Sequence, residues 1–490
     1  MEKIRPGKEQ IKKFVFACYP FVCIFLAMTV FLINRGTMCD GSMDATDIWE
    51  TIKTYGTDNM HSSYVLYKGI QAVYPYVWLY RMAVFFGTNE WLFVMLFYGL
   101  AFSYVTTIGF PHLVEMFFKI NTVHYRKLIL GLVCFYFWEK TWALSWLMVD
   151  LPSLMYFLLL VNAALKIYRH GVRGKYLFWC SVWLGMNLGG SGQYTAPAYC
   201  IIVFLGIVLL KYYIKEKDKN IIKLFKCIGI LVFPAVLIKT YNNYFLEVIV
   251  GGLRQAGAWI PSNGDWLKIG LSRFMNKYRA MGAAIPSNLN QAIFQAHLGD
   301  DVFEQMQSTI LAGGYALSVA EYLKLFIKYP LDFALCYLEK FFLILSPDRG
   351  SFSFLPLFVF WTMLFIAIKI VFTDHKRMIA IINVKFWIVF SFLWSVIPSL
   401  VMVPQMRTAM QIQGFILATA LCRNEVWNKL SKVFLGIKNW KIKNIKNIGE
   451  KEIPYTLLCY CCFIIICFLH MSSLYELIGV DADNIMLKFW

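Results

Sequence analysis

Residues 64–86 read YVLYKGIQAVYPYVWLYRMAVFF, and how this stretch is placed decides the path of the whole chain. It is apolar enough to be taken for a membrane crossing. Pro75 interrupts it, however, and Lys68 and Arg81 put charge inside it. A crossing here also sends His124-Tyr-Arg-Lys127 to the outer side and inverts every basic loop that follows. Read instead as an interfacial or re-entrant segment, rich in the Tyr and Trp that favour headgroup depth, it leaves all the basic loops on one face.

The composition supports a chain solvated largely by lipid. Of 490 residues, 59% are hydrophobic, 18% aromatic and only 16% charged, whereas soluble domains run near 45–50% apolar and about 25% charged. An apolar helix needs about 20 residues to cross the hydrocarbon, and the sequence offers about eleven such runs. They are continuously apolar rather than alternating, which excludes a lipid-facing barrel. The net charge of +18 falls in short loops, as expected of cytoplasmic segments, so nucleic acid is not an expected partner. The cysteines lie mostly inside apolar runs and form neither a disulfide framework nor a zinc spacing.

The expected fold is therefore an all-α polytopic membrane protein of about 11 transmembrane helices. Lys3, Arg5, Lys8, Lys12 and Lys13 place the N-terminus in the cytoplasm. Spans are expected near 14–33, 90–110, 128–138, 151–166, 176–190, 194–210, 227–243, 352–372, 382–403, 408–421 and 454–471. A first outer loop covers 34–89 and a long one covers 244–345. A lysine-rich cytoplasmic loop spans 423–452, and 453–490 hold the last span and an extracytoplasmic tail. In the first outer loop Ile48, Trp49, Ile52 and Tyr55 recur at helical spacing opposite Asp47, Glu50 and Lys53. That pattern predicts an amphipathic helix suited to a membrane surface. No repeat at a fixed period and no inverted pair of halves is present.

No Gly-rich phosphate loop, HExxH or GxSxG motif occurs, which leaves carboxylates and arginines at the outer face as the candidates. Asp40, Asp44, Asp47, Glu50 and Asp58 form an acidic island in a basic protein. Either they merely mark the outer side, or one of them serves chemistry. Asp40, within two turns of the first span, is placed to accept a proton from a hydroxyl, with Asp44 and Asp47 as alternatives. Asp150, before Leu-Pro, is either a helix N-terminal acid offsetting the dipole or a second acceptor or metal-assisting carboxylate. His61 either holds local structure or orients a phosphate or hydroxyl. Arg407, costly at its depth unless paired, suits a lipid phosphate or an ion pair equally. Arg254, Arg273 and Arg279 are softer candidates for the same role, and Trp142, Trp146 and Trp259 for sugar stacking.

Several short motifs together resemble the GT-C superfamily of membrane glycosyltransferases. They are Cys39-Asp40-Gly41 in the first outer loop, His61-x-x-Tyr-x-Leu-Tyr67 after it, and Phe86-Gly87-Thr88-Asn89 before the second span. Asp150-Leu-Pro152, the glycine-rich hairpin 185–197, Lys328-Tyr-Pro-Leu331 and Gln405-Met-Arg407 complete the set. The likeness covers about residues 1–425 as architecture. It departs in two places: Gly41 replaces the second acid after Asp40, and Gly192-Gln193 stand where many members carry lysine. The resemblance implies inverting transfer of a sugar from a polyprenyl-phosphate donor to an acceptor hydroxyl on a glycan or lipid-linked molecule. Asp40 would be the base and Asp150 the second carboxylate, with His61, Tyr67, Arg279 and Arg407 on the substrate. A divalent cation is left open, and no metal ligand set is assigned. A polysaccharide polymerase or ligase, relying on outer-loop arginines, is the nearest alternative; a lipid-linked glycan flippase or transporter is another, and a purely structural or receptor role a third. The chain contains no Asn-x-Ser/Thr sequon, which favours a bacterial plasma membrane and a role in cell-envelope polysaccharide.

Overall fold

The computed structural model describes residues 18–33, 43–54, 70–139, 144, 147–189, 192–215, 221–255, 319–345, 354–374, 384–397, 400, 409–423 and 452–478. These residues are helical with no strand among them, and the chain divides into two units.

The larger unit takes in Met1–Ile260, Arg377–Val396 and Met410–Ala418. Its helices begin with α1 (Tyr19–Ile33), α2 (Met43–Thr54), α3 (Ile70–Phe85) and α4 (Leu92–Ser103). A π-helical stretch, Tyr104–Gly109, joins α4 to α5 (Phe110–Phe118), and α6 (His124–Glu139) and α7 (Asp150–His170) follow. Then come α8 (Gly174–Leu188), α9 (Gly192–Lys215) and α10 (Ile221–Gln255), and after the second unit has intervened, α14 (Val384–Trp394) and α15 (Met410–Leu421).

Among the described residues, four helices are long and apolar enough to cross a membrane: Leu92–Phe118, Asp150–His170, Tyr194–Ile214 and Ile221–Tyr244. Shorter apolar helices fall within five of the other expected spans, at Tyr19–Ile33, Phe354–Ile370, Lys385–Trp394, Met410–Leu421 and Leu457–His470. Within the segment 64–86, Ile70–Phe85 form a helix, α3, with Pro75 inside it; it is not among the four, and residues 64–69 lie outside the described residues.

α7 is the centre of this unit. Within its most apolar window 72% of residues are buried, against 11% in α10, which therefore presents most of its surface outward. α7 packs against α5, α8 and α9; α1 packs against α4 and α6; α9 packs against α14. In lipid the association of such helices draws on close van der Waals fit rather than on escape from water, so small residues at crossings carry weight. Gly131 of α6 lies so near α1 that an added Cβ would stand 2.5 Å from Cys23 Sγ. Gly414 of α15 lies against the Phe110 ring, 2.2 Å from where a Cβ would be.

The helix through 92–118 runs further than the expected 90–110, because Pro111 does not end it. Proline lacks the N–H of the regular ladder and its ring collides with the carbonyl four residues back, here Thr107. The chain widens to a π turn just before Pro111, so that the Phe110 N–H reaches Val105 O. The Gly109 carbonyl accepts a hydrogen bond from Asn162 Nδ2 at 3.0 Å, tying the widened turn to α7.

α2 forms as its spacing predicts, but its apolar face turns into protein. Ile48, Trp49 and Ile52 are buried. Trp49 stacks on Trp91 with centroids 3.5 Å apart and meets Tyr80 of α3 edge-on. The helix is covered on this face by its own chain instead of by lipid.

The second unit takes in Pro261–Lys376, Ile397–Ala409 and Thr419–Trp490. Its described helices are α11 (Val319–Lys328), α12 (Pro330–Leu345), α13 (Phe354–Asp374) and α16 (Glu452–Ile478). α13 and α16 pack together through Phe354 stacked on Phe468 and a 2.9 Å hydrogen bond between the Thr362 and Tyr460 hydroxyls. Phe326, Phe333 and Tyr337 join α11 to α12.

Candidate functional site: buried polar groups around Asp150

Asp150 opens α7, where the helix dipole favours a negative charge. Pro152 follows in the first turn, where its missing N–H costs nothing because that turn has no partner to offer. The Asp150 residue is only 2% exposed, which makes it unlike an ordinary solvated loop acid. Two tyrosines from other helices stand near enough for its charge to act on them: Tyr76 of α3 and Tyr194 of α9. Both are fully enclosed.

Each phenol is anchored. Tyr76 OH donates to Met148 O at 3.0 Å, fixing α3 to the segment that leads into α7. Burial pushes the Tyr76 phenol well above the ordinary tyrosine value, and the neighbouring Tyr98, Tyr156 and Asp150 add to the shift. Tyr194 OH donates to Gln411 Oε1 at 3.4 Å, and Gln411 Nε2 reaches Ser395 O at 3.4 Å. Two residues on, and so toward the other side of α15, Gln413 Oε1 accepts from Trp138 Nε1 at 3.2 Å. Thr195 Oγ1 donates to Asn187 O at 3.3 Å across the α8–α9 turn. Aromatic rings wall the group: Phe157 lies against Tyr194 and Phe392, and Phe392 stacks on Phe415.

The outcome is a carboxylate of α7 near two phenols, from α3 and α9, one of which bonds a carboxamide of α15; a second carboxamide of α15, Gln413, separately holds the Trp138 indole N–H of α6. Such groups inside an apolar bundle are expensive unless mutually satisfied, and an ionisable residue among them marks a site by default. The carboxylate can accept a proton or a hydroxyl, and the amides and phenols can hold a polar molecule in orientation.

Of the residues singled out in the sequence, Asp150 is thus placed in a built environment. Asp40, Asp58, His61, Tyr67, Trp142, Trp146, Trp259, Arg273, Arg279 and Arg407 lie outside the described residues. Asp44 and Asp47 fall on α2, and Arg254 on the last turn of α10. Glu139 ends α6, and Glu50 pairs with Lys53 at 2.5 Å on the outer side of α2. Among the described residues no three His, Cys, Asp or Glu side chains gather as a metal centre requires.

Tyr76, Tyr194, Gln411 and Gln413 were not singled out by the sequence reading. The signal was there for the glutamines: two carboxamides one residue apart in an otherwise apolar span, Met410-Gln-Ile-Gln-Gly414, are costly in lipid unless they face polar partners. The tyrosines gave no such signal, being two among 28. No protein-family model, curated protein or solved structure matches the chain.

Proposed function

We propose that the chain is a multi-pass membrane glycosyltransferase that moves a sugar, with inversion, from a polyprenyl-phosphate donor to an acceptor hydroxyl at the extracytoplasmic face. The observation that carries the reading is Asp150, a buried carboxylate at the start of α7 near two enclosed phenols, one of them bonded to the Gln411 carboxamide. In this scheme Asp40 takes the proton from the acceptor hydroxyl as its oxygen attacks the sugar C1. The C1–O bond to the lipid phosphate breaks, and Arg407 balances the charge on the departing phosphate. Asp150 acts as the second carboxylate, holding acceptor hydroxyls, while His61, Tyr67 and Arg279 contact the substrates. The cytoplasmic N-terminus and extracytoplasmic tail belong to the same proposal.

A transport path through the bundle predicts charges buried along its length. Among the described residues the buried charged side chains are Arg126, Asp150 and Arg423, and each stands at or beside the end of a helix. That distribution favours surface chemistry over a conduit.

The test uses membranes containing the full chain, a radiolabelled polyprenyl-phosphate sugar and a lipid-linked glycan acceptor. Asp40→Asn is expected to lower transfer by at least about 100-fold, the smaller end of a general base's contribution, while the donor still binds. Asp150→Asn is expected to raise the acceptor KM more than it lowers kcat. Transfer at the parent rate in both variants overturns the proposal. Loss confined to replacements of Arg254, Arg273 or Arg279 moves the chain to the polymerase class.

A further inference from the structure

At the end of α7 opposite Asp150, three cations from three helices meet at one point. Arg169, in the last turn of α7, donates through both Nε, at 2.8 Å, and Nη2 to Met116 O. Lys385, at the start of α14, donates to the next carbonyl, Phe117 O, at 2.7 Å. Lys119 follows immediately as the left-handed cap of α5 and is exposed. The charges of both Arg169 and Lys119 act on Lys385. The nearest carboxylate on the same helix, Glu115, is engaged elsewhere: Lys127 approaches it at 3.1 Å and the Thr122 N–H at 3.0 Å.

The plain account is that Arg169 and Lys385 cap the C-terminus of α5, as basic groups do. It is incomplete in magnitude. A helix end offers roughly half an elementary negative charge, and three whole positive charges are brought to it. Convergence of that kind is built for a further anion. The segment after Lys119 and the last turns of α7 expose apolar and aromatic side chains, Val123 just before α6, Tyr125 and Ile129 on it and Tyr168 next to Arg169, so an anion carrying an acyl chain has apolar surface to meet as well.

We propose that Lys119, Arg169 and Lys385 form a binding site for the phosphate of an anionic phospholipid headgroup. The site clamps α5, α7 and α14 together at this membrane face. It is independent of the transferase reading, since it uses none of the residues given to donor or acceptor.

The test measures thermal unfolding of the purified full chain in detergent as lipid is titrated. Phosphatidylglycerol is expected to raise the Tm with saturation, and phosphatidylcholine, whose headgroup carries no net charge, to leave it unchanged. Lys119→Asn removes a charge while suiting the left-handed cap, and Lys385→Gln keeps a donor for Phe117 O. Each is expected to weaken the apparent affinity for phosphatidylglycerol about fivefold, the effect of one cation near an anionic surface. Equal stabilisation by phosphatidylcholine, or parent-like affinity in both variants, overturns the site. Equal stabilisation by inorganic phosphate at the same concentration overturns its assignment to a lipid.

Discussion

At the scale of single residues, the informative feature is a buried hydroxyl that does two things. Tyr76 OH satisfies the Met148 carbonyl, and its ring fills a fully enclosed space between α3 and its neighbours. Tyr76→Phe keeps the ring and removes this hydrogen bond, so a loss of about 0.5–1.5 kcal/mol in stability is expected. The pH dependence has a definite sign. The folded phenol is held well above the ordinary value of 10.0, so the folded chain keeps this proton where the unfolded chain releases it. The hydrogen bond's contribution is therefore complete below about pH 10 and declines above it, by about 1.4 kcal/mol per pH unit. Comparing the unfolding free energy of parent and Tyr76→Phe from pH 8 upward, the gap between them should narrow only past the ordinary tyrosine value. A gap that does not change with pH would mean that Tyr76 is solvated.

Between elements, fit is decided by glycines that a hydropathy reading passes over. Gly414→Ala would place a methyl 2.2 Å from the Phe110 ring, and relief by backbone shift is costly because α5 is also held at its far end by Arg169 and Lys385. A destabilisation of about 1–3 kcal/mol is expected, the usual range for overpacking. Phe110→Leu should recover part of it in a double-mutant cycle measured by denaturant unfolding. Additive effects of the two changes would show that α5 and α15 do not meet there. The contrast with α7 shows which features of the fold could be read from sequence and which could not. Asp150 and Pro152 announce the start of α7, because caps obey local rules, whereas its end at His170 lies beyond the expected 166. Nothing local announces that Gly414 meets Phe110, or that Pro111 is absorbed by a π turn instead of ending the helix. Those outcomes depend on a partner hundreds of residues away in one case and on Asn162 in the other. The apolar face of α2 was legible as a face, but what covers it was not: a stripe of Ile and Trp suits lipid and protein equally well. The site followed the same division, with the acid visible beside its proline and the phenols visible only once α3 and α9 were in place.

For the larger unit as a whole, the two polar groupings separate the helix ends that the sequence expects outside from those it expects inside. Asp150 and Arg169 lie 19 residues apart on α7, about 28 Å at 1.5 Å per residue, close to the roughly 30 Å of bilayer hydrocarbon. Around the first gather the ends of helices expected outside, and around the second gather Lys119, Lys127 and Lys385, expected inside. A chain threaded with the opposite sign at any one crossing would bring a basic loop to the Asp150 end. Substituted-cysteine labelling tests this directly, since Glu90 and Lys166 are both exposed and belong to opposite ends. In intact cells Glu90→Cys is expected to react with a membrane-impermeant maleimide. Lys166→Cys should react only after permeabilisation, with the parent chain's own thiols as background. The reverse pattern, Lys166→Cys labelled in intact cells and Glu90→Cys only after permeabilisation, would place α3 across the membrane and reverse the bundle. The proposed base and the Asp150 cluster would then be divided between two compartments, a separation that no single transfer step tolerates.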